Sequence, residues 1–433
     1  AETLEGALAK AYAGSPTVNA QRANQRGVDE NVPRALSGAR PRVTGTADVG
    51  ASFTEGSSAG RSSSTLTAPR GFGVEVSQSI YNGNRTGNGV RQAESQILAA
   101  REQVRTTVQN VLFDAVSAYM NVLRDTAILN LQQNNVEVLD EQLRQVRDRF
   151  QVGEITRTDV AQSEARLAAS RSQASLSESN LRASIARFRQ VVGVQPRQLA
   201  PGRPVDRLVP ANLDTAIRIS LSENPAIGAA QHAFDAAELQ VKVVEGELLP
   251  SLGVVGSASQ RYDSQTSGDQ RFNAQVVARL SVPIYEGGEV YARVRQAKEV
   301  AGQRRIEVEI ARDQVRASVI AAWGTLEASK AQILAAQAQV AAAETALTGV
   351  REEARVGQRT TLDVLNSQQE LLNARVNLIT AQRDRVVASY AVVQATGRLS
   401  AEHLNLQSGR YDPKVHYDQV KGLWYGTQTP SGD

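Results

Sequence analysis

Between Pro41 and Tyr81 apolar and polar residues alternate: Val43, Ala47, Val49, Ala51 and Phe53 stand against Arg42, Thr44, Thr46, Asp48 and Ser52. A period of two sends successive side chains to opposite faces, so the pattern predicts a strand with two unlike faces. The return segment sets Leu66, Ala68, Phe72, Val74, Val76 and Ile80 against Thr67, Gly71, Gly73, Glu75, Ser77 and Ser79. A second pair of strands follows with Leu252, Val254 and Ala258, then Phe272, Ala274, Val276, Ala278, Leu280, Val282 and Ile284, opposed by Asn273, Gln275, Arg279 and Ser281. These segments match the roughly 9–11 residues with which a tilted strand crosses a bilayer. Phe53, Tyr81, Tyr262, Phe272 and Tyr285 fall near segment ends, where membrane barrels carry aromatic girdles. One such hairpin would equally suit a soluble protein in which it packs on a core; two matching hairpins shift the balance toward membrane strands.

After each hairpin the period changes to alternating threes and fours. Thr86 to Phe150 contains no proline, and Val90, Ala93, Ile97, Ala100, Val104, Val108, Val111, Ala115, Ala118 and Val122 form a stripe continued by Leu129, Val136, Leu139, Leu143, Val146 and Phe150. At 1.5 Å per residue this predicts a helix of about 98 Å. Its shorter partner keeps a heptad beat at Val160, Leu167, Ala174, Leu181 and Phe188; the later copy shows Val364, Leu371, Leu378 and Val392, with Arg385 interrupting. One narrow stripe per helix favours coiled-coil packing over a globular core. The alanine-rich seam from Ala335 to Ala343 permits close approach of a neighbour.

The two hairpin-and-helix runs are copies of one unit. A displacement of 204 residues carries Val90-Arg91-Gln92-Ala93 onto Val294-Arg295-Gln296-Ala297, Ile80-Tyr81 onto Ile284-Tyr285 and Asp159-Val160 onto Asp363-Val364. Upstream the displacement becomes 209, pairing Ser15-Pro16 with Asn224-Pro225 and Pro41 with Pro250. The first copy therefore has extra residues, expected as a loop in the Gly/Ser-rich stretch 56–65. The predicted organisation is a first repeat over 1–193 (hairpin about 41–81, helices about 86–151 and 156–193), a connection over 194–223, a second repeat over 224–397 (hairpin about 250–285, helices about 288–355 and 360–397) and a tail over 398–433. A period near 200 is far too long for a solenoid.

The helix tips repeat as VGEITRTDV at 152–160 and VGQRTTLDV at 356–364. Gly153 and Gly357 suit the left-handed residue that closes a helix. Thr156 and Thr360 then cap the next helix, with Asp159 and Asp363 completing a relative of the capping box. Capping alone accounts for both aspartates; a further role requires several copies to converge about an axis, making Asp363 a ring of like charges. The glycines around Tyr81-Asn82-Gly83 lack the Gly-Lys-Ser/Thr of a phosphate loop, which leaves a tight strand-to-helix passage.

Composition narrows the function classes. The 433 residues contain no cysteine and three histidines, which excludes disulfides, thiol nucleophiles and thiolate metal sites and argues against an enzyme or a bound cofactor. A formal charge of +3 is spread in alternating signs, unlike a nucleic-acid-binding arm. No run approaches the roughly 18 apolar residues of a spanning helix. Residues 1–30 hold no signal-like apolar segment, so an exported chain is expected here in processed form.

Together the duplication, Ser79-Ile80-Tyr81, Pro283-Ile284-Tyr285-Glu286-Gly287-Gly288 and the paired tips resemble the TolC-like outer-membrane efflux and secretion proteins over nearly the whole chain. The resemblance implies a mixed α/β membrane protein. Three protomers would each give four strands to a twelve-stranded outer-membrane barrel, continued by an α-helical coiled-coil barrel across the periplasm. It implies a passive duct for type I protein secretion or multidrug efflux, with no catalysis. The implied partners are a periplasmic adaptor, an inner-membrane transporter of ABC or RND type and outer-membrane lipid, without nucleic acid. Carried over position by position, Asp363 matches an acidic ring residue of the tunnel entrance, with Asn366 standing where a second acidic ring is found. Asp159, Arg359, Thr158 and Gln142 match gate-link positions, and Ala354 replaces a tyrosine that bonds the gate aspartate. Val152, Gly153, Val356 and Gly357 match the turns on which the adaptor docks. The competing class is a soluble or periplasmic coiled-coil interaction protein of adaptor type, without a pore.

Overall fold

In the computed structural model, which describes residues 2–58 and 60–430, short helices followed by antiparallel strands precede each long helix. The first half runs α1 (Leu4–Gly14), α2 (Pro16–Asp29), α3 (Asn31–Leu36), β1 (Arg42–Val49), β2 (Ser52–Ser58), β3 (Arg61–Thr67), β4 (Arg70–Asn82), α4 (Arg85–Gln151) and α5 (Arg157–Val192). The second runs α6 (Leu213–Glu223), α7 (Pro225–Glu245), β5 (Ser251–Tyr262), β6 (Gln270–Ser281), α8 (Glu289–Arg355) and α9 (Thr361–Ala395), with α10 (Pro413–Val420) in the tail. Pro16 and Pro225 each open a helix, the position where a missing N–H costs nothing.

The four-stranded sheet is antiparallel throughout, in the order β1-β4-β5-β6. Its register sorts the side chains into two unlike faces. On one lie the rows Val43–Val76–Gly256–Val276, Gly45–Val74–Ala258–Ala274 and Ala47–Phe72–Gln260–Phe272. On the other lie Thr44–Glu75–Ser257–Gln275, Thr46–Gly73–Ser259–Asn273 and Asp48–Gly71–Arg261–Arg271. Val43, Phe72, Phe272 and Val276 are exposed in the protomer, the last at 78%. A sheet that shows large apolar side chains outward is built to meet something other than water.

Three features differ from the sequence expectation. The stretch 56–65 is not a simple loop: β2 and β3 pair as a two-stranded ribbon, Phe53 opposite Leu66, so the extra residues lengthen the hairpin. Alternating small β-tolerant Ser and Thr side chains form a ladder here as readily as a loop, which composition alone hid. Second, the register shifts between Ser79 and Tyr81. Simple alternation from Phe72 would put Tyr81 on the polar face; the bulge around Ile80 turns it to the apolar face, opposite Leu252, which itself faces Leu280. β6 also stops at Ser281, so Val282 and Ile284 lie beyond the ladder.

Gly83 makes the strand-to-helix passage into α4. Its φ is +68°, and a Cβ there would come within 2.1 Å of the Gly246 carbonyl oxygen. Neither the left-handed backbone nor the space admits another residue.

The chain divides into two compact units that cut across the duplication, each drawing on both halves. One comprises Ala1–Ala23, Glu102–Gly228 and Glu309–Tyr411. Its main core gathers Leu8, Leu112, Val116, Tyr119, Phe188, Val393 and Leu399. The Tyr119 hydroxyl lies 2.8 and 2.7 Å from the carbonyl oxygens of Glu2 and Ala200, and burial pushes its pKa up to about 12. Arg385, which interrupts the heptad of α9, reaches both carboxylate oxygens of Asp206 at 2.8 Å. The Arg22 guanidinium lies between the rings of Tyr12 and Tyr411, at 4.7 and 4.8 Å.

The other unit comprises Asn24–Arg101, Ala229–Val308 and Asp412–Asp433, and contains the sheet. Val32, Ala93 and Ile97 form one core cluster, with Tyr417 of α10 packed on it. Beside it Asp29, fully buried, accepts from Gln25 at 2.8 Å and pairs with His416 Nδ1 at 2.9 Å.

Candidate functional site

The two helix tips fold by the same chemistry. Each long helix closes through the paired bonds of a Schellman turn. Glu154 N donates to Arg149 O and Gly153 N to Phe150 O, both at 3.0 Å; Gln358 N donates to Glu353 O at 2.9 Å and Gly357 N to Ala354 O at 3.2 Å. Gly153 and Gly357 take φ of +79° and +80°, as this turn requires. Val152 and Val356 stand out from the turns at 72% and 71% exposure, an unusual display for valine that occurs in both copies.

Complete capping boxes start the return helices. Asp159 N donates to Thr156 Oγ1 at 3.3 Å while Asp159 Oδ2 accepts from Thr156 N at 3.0 Å. Asp363 and Thr360 repeat this at 3.2 and 2.9 Å. The Thr156 hydroxyl, its backbone N–H, the Thr361 hydroxyl and the charge of Arg149 hold Asp159 below the usual carboxylate range. For Asp363 the Thr360 amide leads, followed by the Thr360 hydroxyl and the charge of Arg359. Both aspartates are thus anions at neutral pH, and each carboxylate is spoken for locally.

Arg359 donates through Nε to Glu353 at 2.7 Å, which raises its pKa. The first tip reverses the polarity, with Arg149 before the turn and Glu154 after it, 3.0 Å apart. Between the two tips a cleft of about 910 Å³ is lined by residues including Gln142, Arg149, Glu154, Asp159, Arg359 and Thr361. Of the residues designated from sequence, Gln142, Asp159, Ala354, Gly357 and Arg359 share one cleft with the capping threonines Thr156 and Thr360. Within the protomer Asp159 meets Thr361 across the cleft, and Arg359 is held by Glu353 on its own turn. Thr158 is exposed on the first turn of α5.

Asn366 is one helical turn beyond Asp363 and accepts from Arg166 Nη2 of α5 at 2.7 Å. Below it Leu365 packs with Leu139, Leu143 and Leu167, joining α4, α5 and α9. Ion pairs from Arg171 to Asp140 at 3.1 Å and from Arg147 to Glu164 at 2.7 Å tie α5 to α4, and Arg375 to Glu344 at 2.8 Å ties α9 to α8. Sequence reasoning missed Glu353, Glu154, Thr361 and Arg166. The first two could have been found, since opposite charges flank each glycine turn. Arg166 could not, because it meets Asn366 only through the packing of two helices 200 residues apart.

Among the described residues no cluster of three or more potential metal ligands occurs, and no helix is long and apolar enough to cross a membrane, which says nothing of a β-barrel.

The sequence profile of the outer membrane efflux proteins matches residues 7–194 and 216–398, leaving out much of the connection between the repeats. Over 434 aligned residues, 100% of this chain and 93% of the relative, the sequence is 41% identical to outer membrane efflux protein BepC of Brucella suis biovar 1. It is 27% identical over 339 residues to alkaline protease secretion protein AprF of Pseudomonas aeruginosa, covering 74% of this chain and 68% of that one. In structure it is similar to the Campylobacter jejuni CmeC outer membrane channel, with a TM-score of 0.81 over 97% of this chain and 89% of that chain at 18% identity, a likeness of fold.

Proposed function

The chain belongs to the outer membrane efflux protein family, and from that premise we propose that three copies close one channel in the outer membrane through which cargo leaves passively. The observation that carries this is the sheet. Its two edge strands, β1 and β6, have free ladders, one face is apolar and outward, and four strands are too few to close. In hydrocarbon an open edge leaves several kcal/mol of unsatisfied backbone per group, so the edges must pair with other copies. Eight strands would leave an interior filled by side chains, whereas twelve leave a passage.

The cargo class is efflux substrates, secreted polypeptides or both; the relatives named for efflux and for protease secretion support each. A periplasmic adaptor and an inner-membrane transporter of ABC or RND type would supply selection and energy. Their docking points are the exposed valines beside Gly153 and Gly357. Closure of the entrance would rest on Asp159, Arg359, Thr158 and Gln142, with Asp363 as the acidic ring and Asn366 as a neutral second level held by Arg166. Opening would draw the α8–α9 pair away from its neighbours: the Arg359–Glu353 and Arg375–Glu344 ion pairs lie within that pair and travel with it, and the exposed Arg166–Asn366 hydrogen bond to α5 is the link that must break.

A cysteine-free chain gives a clean test. Cysteine pairs placed at Thr44 or Thr46 on β1 and Asn273 or Gln275 on β6 should crosslink, in at least one combination, to a covalent trimer and nothing larger. Monomers alone in every combination, or an open ladder of products, would contradict the reading.

A further inference from the structure

The polar face of the sheet carries an excess of positive charge. Register places Arg42, Asp48, Glu75, Arg261, Arg271 and Arg279 on it, four arginines against two acids, a net of +2 in each protomer. The charges are arranged in levels. Arg261 and Arg271 stand directly opposite across β5 and β6, where like charges repel. The conflict is relieved in one direction only: Arg261 turns the other way, over Gly71 of β4, and grips Asp48 with both Nη atoms at 3.1 and 3.2 Å. That leaves Arg271 with its charge uncancelled, its Nη2 bonded to the neutral Gln265 at 2.9 Å. Toward the helix end of the strands, Arg42 and Arg279 stand without an acidic partner, and Glu75 without a basic one, among the described residues.

We infer that this face lines the barrel with an anion-preferring collar, opposite in sign to the Asp363 carboxylates at the helical tips. The inference rests on the channel reading, which turns the apolar face to lipid and the polar face to water. Arg271 and Arg279 then repeat around the axis with the protomers, two levels of guanidinium in a confined aqueous space, where low-dielectric walls strengthen their field. Arginine keeps its charge at any working pH, so the collar is permanent. The groups it takes are small inorganic anions and the phosphate, carboxylate or sulfonate groups of a passing solute.

The test is the reversal potential of the purified channel in a planar bilayer under a potassium chloride gradient. Arg271→Gln together with Arg279→Gln should shift it toward cation preference, while Asp363→Asn should shift it the other way. A conducting double variant with an unchanged reversal potential overturns the collar. The native channel supplies a second readout that needs no variant: inositol hexakisphosphate, added to one side at a time, should block current from at least one side, and less so as salt rises. Absence of block from both sides also overturns it. A native chain that forms no pore at all overturns the channel reading and the collar with it.

Discussion

Arg261 and Asp48 are joined across an intervening strand, and Gly71 is the residue that lets them meet. A Cβ at Gly71 would lie 2.8 Å from the Gln260 carbonyl oxygen and 3.2 Å from Arg261 Cγ. Both partners of the pair are about half exposed, so the bridge itself contributes at most about 1 kcal/mol. Forcing bulk into the ladder costs about 1–3 kcal/mol. Gly71→Val should therefore lower the temperature at which the barrel loses its heat-modifiable form on gels by more than Asp48→Asn does. Equal shifts would show that the ion pair, rather than the space, governs this site.

The tips offer a test of capping with a defined pH sign. Removing the Thr156 or Thr360 hydroxyl by substitution with alanine should cost about 1 kcal/mol and speed amide exchange in the first turn of the return helix. Serine at either position should restore protection. Because Asp159 and Asp363 have pKa values lowered below the ordinary 3.8, their share of tip stability is complete above that value and is lost as pH falls through the lowered one. Exchange protection, corrected for intrinsic rates, should hold flat from neutral pH down to the ordinary carboxylate range and fall below it. A loss centred near neutrality would contradict this assignment.

In the proposed entrance Arg359 would act as a lock and Asp363 as a charge ring. Arg359→Ser should raise resting conductance; an unchanged current places the lock elsewhere. Asp363→Ala should abolish block by multivalent cations, whereas Asn366→Asp should deepen it by adding a second carboxylate one turn along the helix. Equal block in all three proteins would remove this ring from the pore.

In the sheet-bearing unit, His416 secures α10 to the buried Asp29. Leaving a buried carboxyl without one of its hydrogen-bond partners costs about 1–3 kcal/mol. His416→Ala should therefore free the tail to proteolysis near Pro413. Burial already raises the Asp29 pKa, with the His416 hydrogen bond opposing it. A raised carboxyl pKa means the folded form loses stability as pH rises through it. The variant's tail should accordingly be cut fastest at neutral pH, with the difference from the native protein narrowing as acid protonates Asp29. Cleavage independent of pH would show that the carboxyl is not the strained group.

Strands, long helices and capped tips were legible because each rests on a local period or a local hydrogen bond. Val43 to Val49 alternates on its own along β1, though the expected run to Phe53 breaks at Gly50 and Ala51, and Thr156 meets Asp159 only three residues away. What escaped was either register or distance along the chain. One bulge at Ile80 reverses the face of Tyr81, and alternation carries no signal of a bulge. The Ser/Thr ladder of β2 and β3 reads compositionally as a loop. Arg166 with Asn366, and Asp29 with His416 across 387 residues, become partners only when helices pack. The sign of the polar face was likewise hidden until the strand order put Arg261 beside Gly71 and Asp48.

Whether the apolar face meets lipid while copies of the chain enclose water is decided most directly by current through a planar bilayer. Protein purified from outer membranes should insert as a trimer and give discrete, reproducible conductance steps. A water-soluble monomer that neither enters lipid nor carries ions would contradict the account.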